Sequence, residues 1–163
     1  MTNLAIVNSK TQLRLSETDA VKRGAALLSG LRMKGWPRKF ECAQDYHTAS
    51  RAKADIVAAL EFYEQEMQPA EPAEILTRVE MLDIRGFQKD LPQAAMEQIE
   101  LEWLEDLSEY PADLVKLACH RWRRACNNRP PYASGELMDG VKDEYRRRKT
   151  TYLKAKSVLE AIQ

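Results

Sequence analysis

The stretch YPADLVKLACHRWRRACNNRPPYASGEL, residues 110–137, decides the fold. Pro111 after Tyr110 starts a helix, because a proline in the first turn removes only an amide that would have no helical partner. Leu114, Val115, Ala118, Cys119, Trp122, Ala125 and Cys126 then form one broad apolar face at helical spacing. Arg121, Arg123 and Arg124 gather in the last turn, where cations oppose the negative helix end. Asn127-Asn128 end the helix, and Arg129-Pro130-Pro131-Tyr132 must run extended. Ser134 offers a hydroxyl to cap the next helix. Helix, extended link and helix follow one another with no alternating apolar pattern, which points to an all-α chain.

Downstream, the spacing predicts one helix from Ser134 to Ile162, about 42 Å long at 1.5 Å per residue. Met138, Val141, Tyr145, Arg148, Tyr152, Ala155, Leu159 and Ile162 recur at alternating steps of three and four, the seam of a coiled coil with a cation in one slot. Its first half has apolar residues enough to dock on the domain. Residues 149–163 present only the narrow seam Tyr152, Ala155, Leu159 and Ile162, flanked by lysines. They are therefore expected to extend beyond the domain and to bind a partner helix, either a different protein or a second copy in a homodimer.

Upstream, Pro92 opens a helix whose Met96, Ile99, Trp103 and Leu107 line one face, with acids crowding the other. Pro72 opens a shorter one through Ile75, Val79 and Leu82 to about residue 83, and residues 84–91 are irregular, with Phe87 as a plug. Ala49, Ala52, Ile56, Leu60, Tyr63 and Met67 predict a helix over 48–67. Ser16-Glu-Thr-Asp19 caps another over 17–33 that buries Val21, Leu27, Leu28 and Leu31. Gly35-Trp36-Pro37 breaks it, leaving a loop over 34–46. Residues 1–15 lack helical spacing and read as a flexible arm. The expectation is one helical domain, 16–148, a single bundle of five or six helices with no β structure, and a C-terminal helical extension, 149–163. Trp103, Leu114, Cys119 and Trp122 should meet in its core.

At 163 residues, with 44% apolar and 31% charged side chains, the chain is the size of one well-charged globular domain. No apolar run approaches the roughly 20 residues of a membrane span, and residues 1–15 lack the features of a signal peptide. A cytoplasmic protein with no membrane contact is expected, its three cysteines reduced.

Candidate chemistry is sparse. Cys119 and Cys126 lie about 10.5 Å apart along a helix axis, too far to share a zinc ion at about 2.3 Å, and His120 points away from both. No nucleophile elbow, triad or phosphate-cradling loop is present. The expectation is a protein that is not an enzyme and has no cofactor or metal. Glu97, Glu100, Glu102, Glu105, Asp106 and Glu109 read as solvated surface or as an acidic protein-binding face.

Net charge is zero, but residues 61–113 carry 3 basic and 15 acidic side chains while 114–163 carry 12 and 5. Such a division can steer a charged partner onto one face. Arg146, Arg147, Lys149 and Lys154, interleaved with Tyr145 and Tyr152, are the candidate nucleic-acid contacts, because cations set among aromatic rings suit phosphates and bases.

The span from about Leu76 to Tyr145 resembles the small helical replication proteins of phages and prophages that act as helicase loaders or loader-inhibitors. The resemblance rests on Trp103 and Leu107, then Tyr110-Pro111-Ala112-Asp113-Leu114, then Ala118 and Trp122-Arg123-Arg124, then Pro130-Pro131 with Ser134-Gly135-Glu136-Leu137. It covers a little under half of the chain. It implies a non-catalytic adaptor in DNA replication whose partner is the replicative helicase or an initiator protein. Two other readings of the residues stand beside it: a DNA-binding protein using the basic C-terminal helix, and a phage-encoded inhibitor that binds a host protein through its acidic middle.

Overall fold

A computed structural model describes residues 17–35, 38–82, 92–125 and 131–163. The arm at 1–15, Ser16, Trp36, the segment 84–91 with Phe87, Cys126 and the Arg129-Pro130 part of the extended link lie outside them. The described chain is mostly helical. Helix α1 (Asp19–Gly30) is capped by Thr18, whose hydroxyl oxygen accepts from the Val21 amide at 3.3 Å. It ends three residues before the expected boundary, because Met33–Lys34 (β1) pairs antiparallel with Lys39–Phe40 (β2). This corrects the reading of the chain as free of β structure. Strands two residues long carry no alternation to detect, and Gly35, at φ 78°, supplies the left-handed turn between them.

The helix expected over 48–67 is two, α2 (Ala43–Arg51) and α3 (Lys53–Glu66). They are separated at Ala52, where φ −97° and ψ 17° depart from helical values. The stripe survives the break, since Ala49, Ile56 and Tyr63 are all buried. Helix α4 (Pro72–Glu80) starts at its proline and buries Ile75 and Val79. Helix α5 (Gln93–Ser108) turns Trp103 and Leu107 fully inward and Met96 and Ile99 partly. Buried Pro111 precedes α6 (Ala112–Ala125), and its carbonyl accepts from the Leu114 and Val115 amides at 3.0 Å each.

The last helix is not continuous. It begins as α7 (Ser134–Met138), passes through a 3-10 turn (Asp139–Val141) and resumes as α8 (Lys142–Ala161). The Arg121 guanidinium donates to the Gly140 carbonyl at the break. Leu137, Met138 and Val141, on and beside this turn, are all buried in the core. Ser134 is not the cap expected of it. Ala133 holds the cap position, Glu136 reaches back to accept from the Tyr132 amide at 2.8 Å, and the Ser134 hydroxyl donates to Asp106 of α5.

Two apolar clusters result. The first gathers Leu28 of α1, Ile56, Ala59 and Tyr63 of α3, and Ala155, Val158 and Leu159 of α8. The second gathers Ile75 and Val79 with Trp103, Leu107, Leu114, Cys119 and Leu137. Trp103, Leu114 and Cys119 meet as expected, but Trp122, in the last turn of α6, is only partly buried against the same cluster. The segment 149–163 does not stand clear of the domain: its seam is the wall of the first cluster. Among the described residues no helix is long and apolar enough to cross a membrane.

Helices α1 and α3 touch at Gly24, where an added Cβ would lie 2.2 Å from the Asp55 carbonyl oxygen and 2.9 Å from the Ala59 Cβ. Beside that contact Arg23 forms a fork on the Asp55 carboxylate, at 3.0 and 2.9 Å. Backbone cannot yield as a flexible side chain would, so Gly24→Ala should cost about 1–3 kcal/mol by overpacking. Gly30→Ala meets nothing within 4 Å and should instead gain up to about 1 kcal/mol from helix propensity. Urea unfolding of the two variants checks the pair. Equal stabilities would mean that α1 and α3 do not cross at Gly24.

Candidate functional site

The most densely connected polar group is Arg148, which the sequence places in a seam slot on α8. Its side chain is 11% exposed. The guanidinium forks onto Asp113 of α6 at 3.1 and 2.9 Å, reaches Glu66 at the end of α3 at 3.1 Å, and takes Glu144 one turn back at 2.9 Å. Burial pulls its proton affinity down, but the hydrogen bonds to Asp113 and Glu144 outweigh burial and hold it above the ordinary arginine value. Glu144 is held down at about 2, from 4.5, first by its hydrogen bonds from Arg147 and then, against burial, by those from Arg148. Because α3, α6 and α8 meet here, the cluster joins the two halves of the core. It is a structural clamp, and a seam cation reads from sequence only as an anomaly.

The four candidate nucleic-acid contacts do not share one face. Arg147 forks onto Glu144 at 3.0 and 2.8 Å. Lys154 donates to the Leu31 carbonyl at 2.7 Å, and burial, then the Arg38 charge, lower its pKa. Lys149 lies 5.3 Å over the Tyr145 ring and 3.3 Å from its hydroxyl. Arg146 is exposed, 3.8 Å from a fully exposed Asp143. Of the candidate partner-binding residues, Ala155 and Leu159 are buried against α1 and α3, and Tyr152 and Ile162 are half-buried on the same cluster. The correction has a simple cause: α1 and α3 of the same chain supply the second surface that a narrow seam needs.

Cys42 and Cys119 are free thiols, and burial pushes that of Cys119 up. Among the described residues no three His, Cys, Asp or Glu side chains converge as metal ligands.

The outer face of α5 remains open. Gln93, Glu97, Leu101, Glu105 and Ser108 follow one another at steps of three and four, all exposed, with Glu102 and Asp106 alongside. Leu101 is 59% exposed in the middle of this stripe. The helix contains no basic residue, and Glu105 and Asp106 sit in its last turn, where the helix dipole disfavours acids. Local helix stability therefore does not account for them. Sequence pattern marked the acids as a face but gave no sign of Leu101, since an isolated leucine on a helix reads as core. Compared with known proteins, the chain matches no family model, no curated protein and no solved structure.

Proposed function

We propose that the chain is a non-catalytic protein-binding adaptor of phage-type DNA replication, with the replicative helicase or an initiator protein as its partner. The observation that carries this reading is Leu101, an apolar side chain raised at the centre of an acidic helix face. A face of that charge repels nucleic acid and attracts a basic protein surface. An apolar centre within a polar rim is the usual layout of a protein contact. The resemblance of the span from Leu76 to Tyr145 to helicase loaders and loader-inhibitors supplies the replication setting. The same face would serve an inhibitor of a host protein.

Purified replicative helicase titrated onto the immobilised protein provides the test. Leu101→Glu should weaken binding by about tenfold or more, as hot-spot truncations do, and Glu97→Lys with Glu105→Lys should weaken it further at low salt. The melting temperature should hold, because all three side chains are exposed. Unaltered helicase affinity in both variants would rule out α5 as the docking face. Stimulation of helicase loading by the wild type, as against its block, separates a loader from an inhibitor.

A further inference from the structure

A cleft of about 580 Å³ lies between the β1–β2 corner with the start of α2 and the last turns of α8. Arg38, Lys39, Phe40 and Tyr46 form one side and Ser157 and Glu160 the other. Its volume is that of small-molecule sites generally. Tyr46 is 42% exposed, a high value for an aromatic ring beside a cleft. Its ring is held edge-to-face by Phe40, at 5.8 Å and 84°, and by His47, at 5.7 Å and 74°. Two perpendicular neighbours fix its orientation, and among the described residues no ring lies parallel to it.

The cleft also carries charge. The Arg38 and Lys39 side chains line the cleft, and among the described residues neither forms an ion pair or a hydrogen bond. A third cation, Lys154, is close enough to feel the charge of Arg38 and is already committed to the Leu31 carbonyl. The acids nearby are Glu41, between the lining residues Phe40 and Cys42, Asp45, which accepts from the Arg32 amide, and Glu160 on the far wall. Free cations beside an open, pre-oriented ring are the two components of a base-stacking, phosphate-binding platform. Ser157 and Glu160 add what a base edge needs, a hydroxyl and an acceptor for an exocyclic amine.

We propose that this cleft binds a nucleotide, free or as one residue of a single strand, with the base against Tyr46 and the phosphate on Arg38 and Lys39. The site belongs to the first apolar cluster and α5 to the second, so nucleotide binding and partner docking are separate properties of the chain.

The probes are a fluorescein-labelled oligodeoxyadenylate, followed by anisotropy at low salt, and adenosine monophosphate, followed by calorimetry. Tyr46→Ala should weaken binding about tenfold, within the range of one lost base stack, while Tyr46→Phe should retain it. Arg38→Gln with Lys39→Gln should weaken it and flatten the salt dependence by about 0.7 per lost phosphate contact. Arg146→Gln with Arg147→Gln should change neither. Displacement of the oligonucleotide by the monophosphate at similar concentrations identifies a free-nucleotide site. Affinity that grows with oligonucleotide length identifies a strand site. Absence of binding to both probes overturns the proposal, as does binding that ignores Tyr46→Ala or that is lost only in the Arg146 and Arg147 variant. Tighter binding of polyglutamate than of either probe overturns it in favour of an acidic protein ligand.

Discussion

Deleting residues 149–163 should lower the melting temperature by about 10 °C or more, or abolish cooperative unfolding of the first cluster altogether. The deletion removes Ala155, Val158 and Leu159, all buried, and the half-buried Tyr152 and Ile162. Val158 and Leu159 alone are worth about 3–6 kcal/mol of apolar burial, a large part of the roughly 5–15 kcal/mol that holds a domain together. At about 2–4 °C per kcal/mol for a chain of this size, the expected fall follows. The deletion also leaves Leu28, Ile56 and Tyr63 facing water, so aggregation should accompany it. Leu153→Ala, at an exposed position of the same helix, should stay within about 0.5 kcal/mol of wild type and serves as the control. An unchanged melting temperature in the truncated protein would mean that the segment is a detachable partner-binding extension after all.

Replacing Arg148 should have the second largest effect. Arg148→Met removes the cation that Glu66, Asp113 and Glu144 share and leaves Arg147 on Glu144. Removing one partner from a buried ion cluster costs about 3–5 kcal/mol. Arg148→Lys keeps the charge but loses the planar fork on Asp113, so it should cost less than Arg148→Met and more than nothing. The effect carries a pH signature. Because the Glu144 pKa is depressed in the folded protein, its contribution to wild-type stability is fully present above 4.5 and is lost as pH falls from 4.5 through about 2. In Arg148→Met the share of that depression supplied by Arg148 is gone, while the larger share from Arg147 remains. The stability gap between wild type and Arg148→Met should therefore be widest near neutral pH and should narrow below 4.5. Urea midpoints measured across that range check it. A gap that does not change with pH would show that Arg148 acts through packing alone.

Helix faces were legible in the sequence wherever the signal was local. The stripes through Ile56 and Tyr63, Ile75 and Val79, and Trp103 and Leu107 all point inward, because a period of 3.6 is written into neighbouring residues. Pro72 and Pro111 mark helix starts through their missing amides. The same locality explains the misses. A two-residue ladder at Met33 and Phe40 is too short to have a period, and the breaks at Ala52 and at 139–141 interrupt patterns that remain continuous on paper.

Periodicity says that a face is apolar and says nothing of what will cover it. The seam of Tyr152, Ala155, Leu159 and Ile162 was plain, yet its covering surface is α1 and α3, which lie far earlier in the chain, as the Lys154 bond to Leu31 across 123 positions illustrates. Arg148 could be seen to need an acid, but Glu66 and Asp113 become its partners only when α3, α6 and α8 converge. Tyr46, Arg38 and Glu160 share a cleft for the same reason. Helix position and charge follow from near neighbours along the chain, whereas the partner of each exposed face depends on long-range contacts that form only on folding.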